Sequence, residues 1–169
     1  MLQQIGWRAE VIDGGYRTYR RLVNCYLYDD PLPHRLVALD GFTGTAKTDL
    51  LKLLQARGTQ VLDLEGLANH RGSSYGALML PPQPSTEQYE NLIAEQWLGF
   101  DPQRPVWIEA ESRRVGICCV PPEIMNQMEA APTLEVLRSK SERLEILVQV
   151  YGDADPAQRL RWVVSDCSG

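Results

Sequence analysis

The sequence has little of what three common classes of protein need. Its four cysteines, Cys25, Cys118, Cys119 and Cys167, form no CxxC pair, so we expect no structural zinc site. No apolar run approaches the roughly 18 residues of a membrane-spanning helix. The net charge is −5, so any contact with a nucleic acid must come from local basic patches. Cysteines without a pattern favour a reducing compartment, and we predict a cytoplasmic protein.

What the sequence does have is a glycine-rich loop, GFTGTAKT, at residues 41–48. It follows the apolar run RLVALD and precedes the amphipathic stretch DLLKLLQ, which predicts the strand, loop and helix of a phosphate-binding P-loop. Backbone N–H groups would converge there, beside the positive end of the helix dipole. Lys47 is predicted to reach the outer phosphates and the Thr48 hydroxyl to ligate Mg2+. The predicted phosphate-binding residues are Gly41, Gly44, Thr45, Ala46, Lys47 and Thr48.

Ala46 departs from the P-loop pattern, in which a second glycine precedes the lysine. The position lies close to the predicted helix start, so we expect an alanine backbone to fit there. Its Cβ would still crowd an approaching phosphate oxygen. The alternative interpretation is an ordinary glycine-containing turn before a helix.

Two later segments carry the other candidate site residues. His70 and Arg71 lie in a loop, residues 66–76, that is dense in hydrogen-bonding groups and follows a predicted strand; such a loop binds a ligand or stabilises itself. Glu109 and Glu111 end another predicted strand and would share one face of it. They are predicted to act on a metal hydration shell or on protons. We take His70, Arg71, Glu109 and Glu111 as the candidate catalytic residues.

Arginines form the local basic patches. Arg17, Arg20 and Arg21 lie on a helix predicted over residues 16–26, and Arg113 and Arg114 follow Glu111. We predict RNA contacts for all five. The alternatives are a solvated basic face for the first group and neutralisation of the neighbouring acids for the second.

Strands alternate with helices along the chain, which predicts an α/β fold with a mostly parallel sheet flanked by helices. The predicted strands are Leu36–Asp40, 61–65, Val106–Glu109 and 134–137, with a separate strand at 9–12. Capping boxes predict helix starts at Ser85 and Ser139. The predicted organisation is an N-terminal remnant at 1–28, a proline-containing linker at 29–34, a P-loop domain at 35–152 and an irregular tail at 153–169.

Several motifs in this order resemble the tRNA 2-selenouridine synthase family. They are GGYRTYRR, GFTGTAKTDLL, VLDLEGLANHRGSSYG, QPSTEQYE and VWIEAESRRVG. That family joins a rhodanese domain to a P-loop domain. The stretch GWRAEVIDGGY is similar to the closing strand and turn of a rhodanese domain, so the resemblance implies that residues 1–28 are a rhodanese remnant.

The resemblance implies a transferase that modifies the wobble uridine of tRNA. It would replace the sulfur of 2-thiouridine with selenium from selenophosphate, through an S-geranyl intermediate made from geranyl diphosphate. The P-loop would then bind substrate phosphate, with His70 and Arg71 beside it. Mg2+ and a separate rhodanese-bearing chain are further expectations.

Three departures from the family accompany the resemblance: Ala46, the lack of a rhodanese cysteine, since Cys25 does not match that motif, and an altered segment after Tyr151. They predict a truncated member that is incomplete for full activity. The rival interpretations are a degenerate nucleotide- or RNA-binding P-loop module and a small-molecule kinase.

Overall fold

The protein is described by a computed structural model that covers residues 10–29 and 33–152. Four strands form one sheet in the order β2-β3-β1-β6, and every neighbouring pair is parallel. They are β1 (Leu36–Asp40), β2 (Gln60–Leu62), β3 (Val106–Glu109) and β6 (Thr133–Glu135). The predicted α/β class with a parallel sheet is therefore confirmed.

The structure describes six α-helices, and those between successive strands of the sheet belong to the crossovers that parallel neighbours require. They are α1 (Gly15–Asn24), α2 (Lys47–Ala56), α3 (Leu64–Ala68), α4 (Thr86–Leu98), α5 (Pro122–Ala130) and α6 (Lys140–Tyr151). A π-helical segment, Cys25–Asp29, continues α1, and a two-stranded antiparallel hairpin pairs β4 (Arg114–Val115) with β5 (Cys118–Cys119). No described helix has the length and apolar composition to cross a bilayer.

Side-chain caps set several helix starts. Ser85 Oγ accepts from the Gln88 N–H and starts α4. Ser139 and Glu142 form the reciprocal capping box of α6, as the sequence predicts. Asp63 accepts from the Gly66 N–H and starts α3. That cap ends β2 at Leu62, so the predicted strand 61–65 was too long at its carboxyl end.

The larger core lies between the sheet and the helices α4 and α5. Its centre contains Tyr89, Ile93 and Trp97 of α4, all completely buried. A smaller cluster, Leu39, Leu51 and Val61, packs α2 on the sheet. Side chains are buried on both sides of the sheet, which is the usual arrangement when strands are all parallel.

The N-terminal residues share this core. Val23 of α1 and Leu27 of the π-helical segment belong to the larger cluster, and Arg20 is ion-paired with Glu90 of α4. The predicted strand at 9–12 is not present in its described part, residues 10–12. The remnant, linker and tail boundaries stay predictions, and the tail at 153–169 lies outside the described residues.

Helix α6 differs from the other long helices because none of its residues is buried. Its apolar side chains Leu144, Val148 and Val150 are 51%, 67% and 38% exposed. Leu144 and Val148 lie one turn apart on this helix, and exposed apolar patches are typical of interaction surfaces. This surface lies beside the glycine-rich loop.

Candidate phosphate-binding site

The glycine-rich loop leaves the carboxyl end of β1 and turns into α2. Gly41 and Gly44 have φ of 147° and 87°, and both lie against the segment that follows β6. A Cβ at Gly41 would come within 2.7 Å of the Val136 carbonyl, and one at Gly44 within 2.8 Å of the Arg143 carbonyl. Both positions therefore require glycine.

Two arginines of the same segment hold the loop from outside. Arg138 Nε donates to the Thr45 carbonyl at 3.1 Å, and Arg143 Nη1 donates to the Thr43 carbonyl at 3.4 Å. The Arg143 guanidinium also stacks 5.0 Å from the centre of the Phe42 ring. Within the loop, the buried Thr45 hydroxyl donates to the Phe42 carbonyl at 2.8 Å. The Thr45 side chain is therefore used to hold the loop, and its backbone N–H also bonds to Phe42.

Ala46 lies in the left-handed region, with φ 62° and ψ 38°, and forms the N-cap of α2. The sequence-based expectation was that an alanine backbone fits here, and Ala46 does so in a conformation that glycine adopts more readily. An L-residue in this region brings its Cβ close to the following carbonyl oxygen, at a cost of roughly 1–2 kcal/mol. A glycine at this position would avoid that cost.

Lys47 folds back over the loop. Its Nζ donates to the Gly41 carbonyl at 2.6 Å and lies 3.9 Å from Glu109 Oε1. The side chain is only 13% exposed. The ammonium group thus closes the loop on itself, at the place where a phosphate would otherwise provide its partner.

Three carboxylates meet beside Thr48. Glu109 ends β3, Glu111 follows it, and Glu65 lies in α3, which begins just after β2. One oxygen from each lies within 4.8 Å of the others. The Thr48 hydroxyl donates to Glu65 Oε2 at 3.1 Å and lies 3.5 Å from Glu109 Oε1. The structure thus brings Glu109, Glu111 and Thr48 together and adds Glu65, which the sequence interpretation assigned to a strand.

The three carboxyl groups keep their protons to unusually high pH. Burial, followed by the negative charges of Glu65 and Glu111, raises the pKa of Glu109 to about 9. Burial and Glu65 raise the pKa of Glu111 to about 7. Burial also raises the pKa of Glu65. Shifts of this kind are typical of functional sites, where like charges are held together out of water.

His70 and Arg71 have different surroundings. His70 is buried, burial lowers its pKa, and its Nδ1 accepts from the Gly72 N–H at 3.2 Å. The imidazole therefore shapes the loop before Gly72 through this hydrogen bond. Arg71 lines the cleft beside the glycine-rich loop, donates to the Leu78 carbonyl at 2.7 Å and lies 5.5 Å from the centre of the Tyr151 ring.

Two cavities open next to each other here. The cleft, about 200 Å³, is bordered by the glycine-rich loop, Arg71 and the three carboxylates. The apolar groove, about 380 Å³, is lined by Thr43, Ser73, Tyr75, Leu78, Leu144, Leu147, Val148, Tyr151 and Gly152. Thr43, Leu147 and Tyr151 line both cavities. The cleft and the apolar groove therefore adjoin each other.

None of the five arginines predicted to contact RNA lines this cleft. Arg17, Arg21, Arg113 and Arg114 are exposed. Arg20 is partly buried, and its guanidinium contacts Glu90 and Asn91 of α4. Arg20 therefore joins α1 to α4 in the structure, while the RNA role of all five stays a prediction.

The donor set fits a hard divalent cation. Carboxylate and hydroxyl oxygens are the ligands that Mg2+ and Mn2+ prefer. Thr48 lies at the P-loop position whose hydroxyl ligates such an ion, and Glu65 and Glu109 both contact this hydroxyl. These residues would hold the ion, and its chemistry would be to neutralise phosphate charge.

A glycine-rich loop between a parallel strand and a helix, with acids at the neighbouring strand ends, defines a P-loop protein. Residues 34–161 match the family model described as the tRNA 2-selenouridine synthase AAA domain. The chain therefore belongs to the tRNA 2-selenouridine synthase family, which confirms the resemblance of its motifs.

Relatives agree with this assignment. The chain is 36% identical over 143 residues to the tRNA 2-selenouridine synthase of Marinobacter nauticus, covering 83% of this chain and 38% of the relative. It is 34% identical over 152 residues to that of Shewanella oneidensis and 36% to that of Aeromonas salmonicida, covering 89% of this chain and 39% and 40% of the relatives. The chain thus spans about two fifths of the length of these relatives.

Among solved structures, AMPPCP-bound DnaA from Aquifex aeolicus is similar with a TM-score of 0.35 and 13% identity. The match covers 86% of this chain and 53% of that one. At that TM-score the likeness carries no argument about the site.

Proposed function

We propose that this chain provides the phosphate-substrate site of a tRNA 2-selenouridine synthase. The reaction replaces the sulfur of wobble 2-thiouridine in tRNA with selenium from selenophosphate, through an S-geranyl intermediate. The glycine-rich loop binds the diphosphate of geranyl diphosphate, and the apolar groove takes its hydrocarbon chain. Support for the tRNA substrate comes from the family to which the chain belongs.

The observation that carries the proposal is that the cleft and the apolar groove adjoin and share three lining residues. Geranyl diphosphate has a highly charged end and a ten-carbon apolar end. A site for it must place N–H donors and cations next to an apolar surface of matching size, and the two adjoining cavities have that character. A nucleotide has no comparable apolar end, so a groove formed by Leu144, Leu147 and Val148 favours the prenyl ligand.

The charged residues of the cleft have separate roles at the diphosphate end of the ligand. The α2 N-terminus and Lys47 would bind the diphosphate, with Arg71 at the rim of the cleft and Lys52 also facing it. Geranyl transfer forms a bond between the thiouridine sulfur and the prenyl carbon and breaks the bond between that carbon and the diphosphate oxygen, so negative charge develops on the diphosphate that leaves. Cations and N–H donors fixed in a partly dry cleft stabilise that charge.

Calorimetry tests the phosphate end. The parent should bind geranyl diphosphate, and Lys47→Ala should weaken binding by roughly ten- to a hundredfold, because a hydrogen bond to a charged group contributes about 1.5–3 kcal/mol. Lys140→Ala, which removes the same charge from an exposed position at the start of α6, is the matched control and should bind like the parent. Equal affinity of the parent and Lys47→Ala would remove the loop from the function.

A second pair of titrations tests the apolar end. Leu144→Ser changes the apolar groove but not the cleft, so it should weaken geranyl diphosphate binding and leave inorganic diphosphate binding unchanged. Titrations with ATP and selenophosphate complete the set. Tight ATP binding that depends on Mg2+, without geranyl diphosphate binding, would favour the kinase or nucleotide-module interpretation instead.

A further inference from the structure

The cleft brings three carboxyl groups together with one nearby ammonium group. Glu65, Glu109 and Glu111 present three carboxylates within 4.8 Å of one another, and the nearest ammonium, Lys47, lies 3.9 Å from one of them. Like charges at this spacing repel strongly where water is excluded. A cation bound between the three groups would offset that repulsion and favour their ionised form.

A second observation concerns the hydrogen bonding of Glu109. Its side chain is 2% exposed, and its Oε2 has no hydrogen-bond partner among the described residues. Buried carboxylate oxygens are nearly always paired, because leaving one unpaired costs free energy. A buried, unpaired oxygen in a cluster of oxygen donors is available to coordinate a cation.

The loop around Gly72 closes the carboxylate cluster from one side. Gly72 has φ of 57°, and a Cβ there would come within 2.5 Å of Glu65 Oε1 and 2.8 Å of both Glu111 oxygens. The backbone therefore approaches Glu65 and Glu111 as closely as glycine allows. The result is a compact set of oxygen donors that faces the cleft, with the Thr48 hydroxyl beside it.

We propose that Glu65, Glu109 and Glu111 directly bind one hard divalent cation, Mg2+ or Mn2+, before any phosphate enters the cleft. Three anionic oxygens give such an ion affinity of their own, whereas an ion held mainly by substrate phosphates would need the substrate first. Ligands on opposite sides of Mg2+ lie about 4.2 Å apart, so the cluster needs only a small contraction to coordinate it.

Cation binding would also change the state of Lys47. The ammonium now donates to the Gly41 carbonyl and approaches Glu109. An ion on the carboxylates removes the negative charge that attracts Lys47 to this side, so the ammonium becomes available to phosphate. The cation and a phosphate ligand should therefore each increase the affinity for the other.

Mn2+ electron paramagnetic resonance tests the site in the full chain with no phosphate-bearing ligand present. The parent should bind one Mn2+ per chain, with Mg2+ in competition. Glu65→Gln should weaken Mn2+ binding by at least tenfold, since even partners outside the coordination shell contribute 10–100-fold. Glu95→Gln, the same change at an exposed residue of α4, should bind like the parent.

Thermal unfolding gives a second measurement that does not depend on a binding signal. Mn2+ should raise the Tm of the parent and of Glu95→Gln, but not that of Glu65→Gln or Glu109→Gln. Without metal, both cleft variants should be at least as stable as the parent, because each replaces a buried carboxyl group whose ionised form is repelled by its neighbours.

Binding of Mn2+ only after a diphosphate is added, or equal affinity of Glu65→Gln and Glu95→Gln, would overturn the proposal. The experiment is independent of the proposed function. If the parent binds geranyl diphosphate in EDTA but does not bind Mn2+, only the metal site is refuted. If the parent binds Mn2+ but not geranyl diphosphate, only the prenyl ligand is refuted.

Discussion

Replacing Ala46 with glycine should stabilise the protein, although such a change in a helix normally destabilises it. Ala46 has φ 62° and ψ 38°, a conformation that costs an L-residue roughly 1–2 kcal/mol. Glycine removes that cost but gains about 0.4–1 kcal/mol of conformational entropy in the unfolded chain. The net expectation is a stabilisation of about 0.5–1 kcal/mol.

Thermal and urea unfolding measure this effect. For a chain of this size, about 1 kcal/mol corresponds to a Tm shift of about 2–4 °C, so we expect an increase of about 1–4 °C. Ala56→Gly is the matched control: Ala56 is exposed and is the last residue of α2, and its replacement should destabilise by up to about 1 kcal/mol. If both variants lose stability alike, the left-handed conformation of Ala46 is not strained in the protein.

Three further changes follow from the contacts described above. Raising the pH from 5 to 9 should lower the free energy of unfolding by a few kcal/mol. The pKa of Glu109 rises from 4.5 to about 9 on folding, so the folded state binds one more proton than the unfolded state across that range. Glu109→Gln should flatten the pH profile of Tm, and an unchanged slope would contradict the assignment. Gly72→Ala should destabilise by about 2 kcal/mol or more, through its φ of 57° and the contact with Glu65, and a Tm equal to that of the parent would show that this loop is free to move. Arg20→Met should increase hydrogen exchange in α1, because the partly buried pair with Glu90 is lost, whereas unchanged exchange would mean that apolar packing alone attaches the helix.

The sequence predicted the central part of the fold well. The bounds of β1 and β3 were predicted correctly, because each is a short apolar run between turn residues, and the α6 capping box was recognisable from Ser139 and Glu142. The hairpin of β4 and β5 was not predicted, since two-residue strands have too little alternation to be recognised. The end of β2 was missed because the cap formed by Asp63 depends on the path of the chain after the strand.

The candidate site could be predicted only in part. Gly41, Lys47 and Thr48 follow from the motif, and Glu109 from the end of its strand. Glu65 was not predicted as a site residue because it was assigned to a strand. An acid close to the end of a strand next to the glycine-rich loop could nevertheless have indicated it. The left-handed conformation of Ala46 and the exposure of α6 depend on tertiary packing, which periodicity does not report.

Helix α6 belongs to both halves of the site at once. Its apolar side chains form one wall of the groove. Arg138, just before the helix, and Arg143, in its first turn, donate hydrogen bonds to carbonyls of the glycine-rich loop. A displacement of this helix would therefore also move the glycine-rich loop. An amphiphilic ligand would contact the loop with its headgroup and the groove with its tail, so binding of each part should increase the affinity for the other. A phosphate compound without a tail should therefore bind more weakly than its headgroup does within the intact ligand.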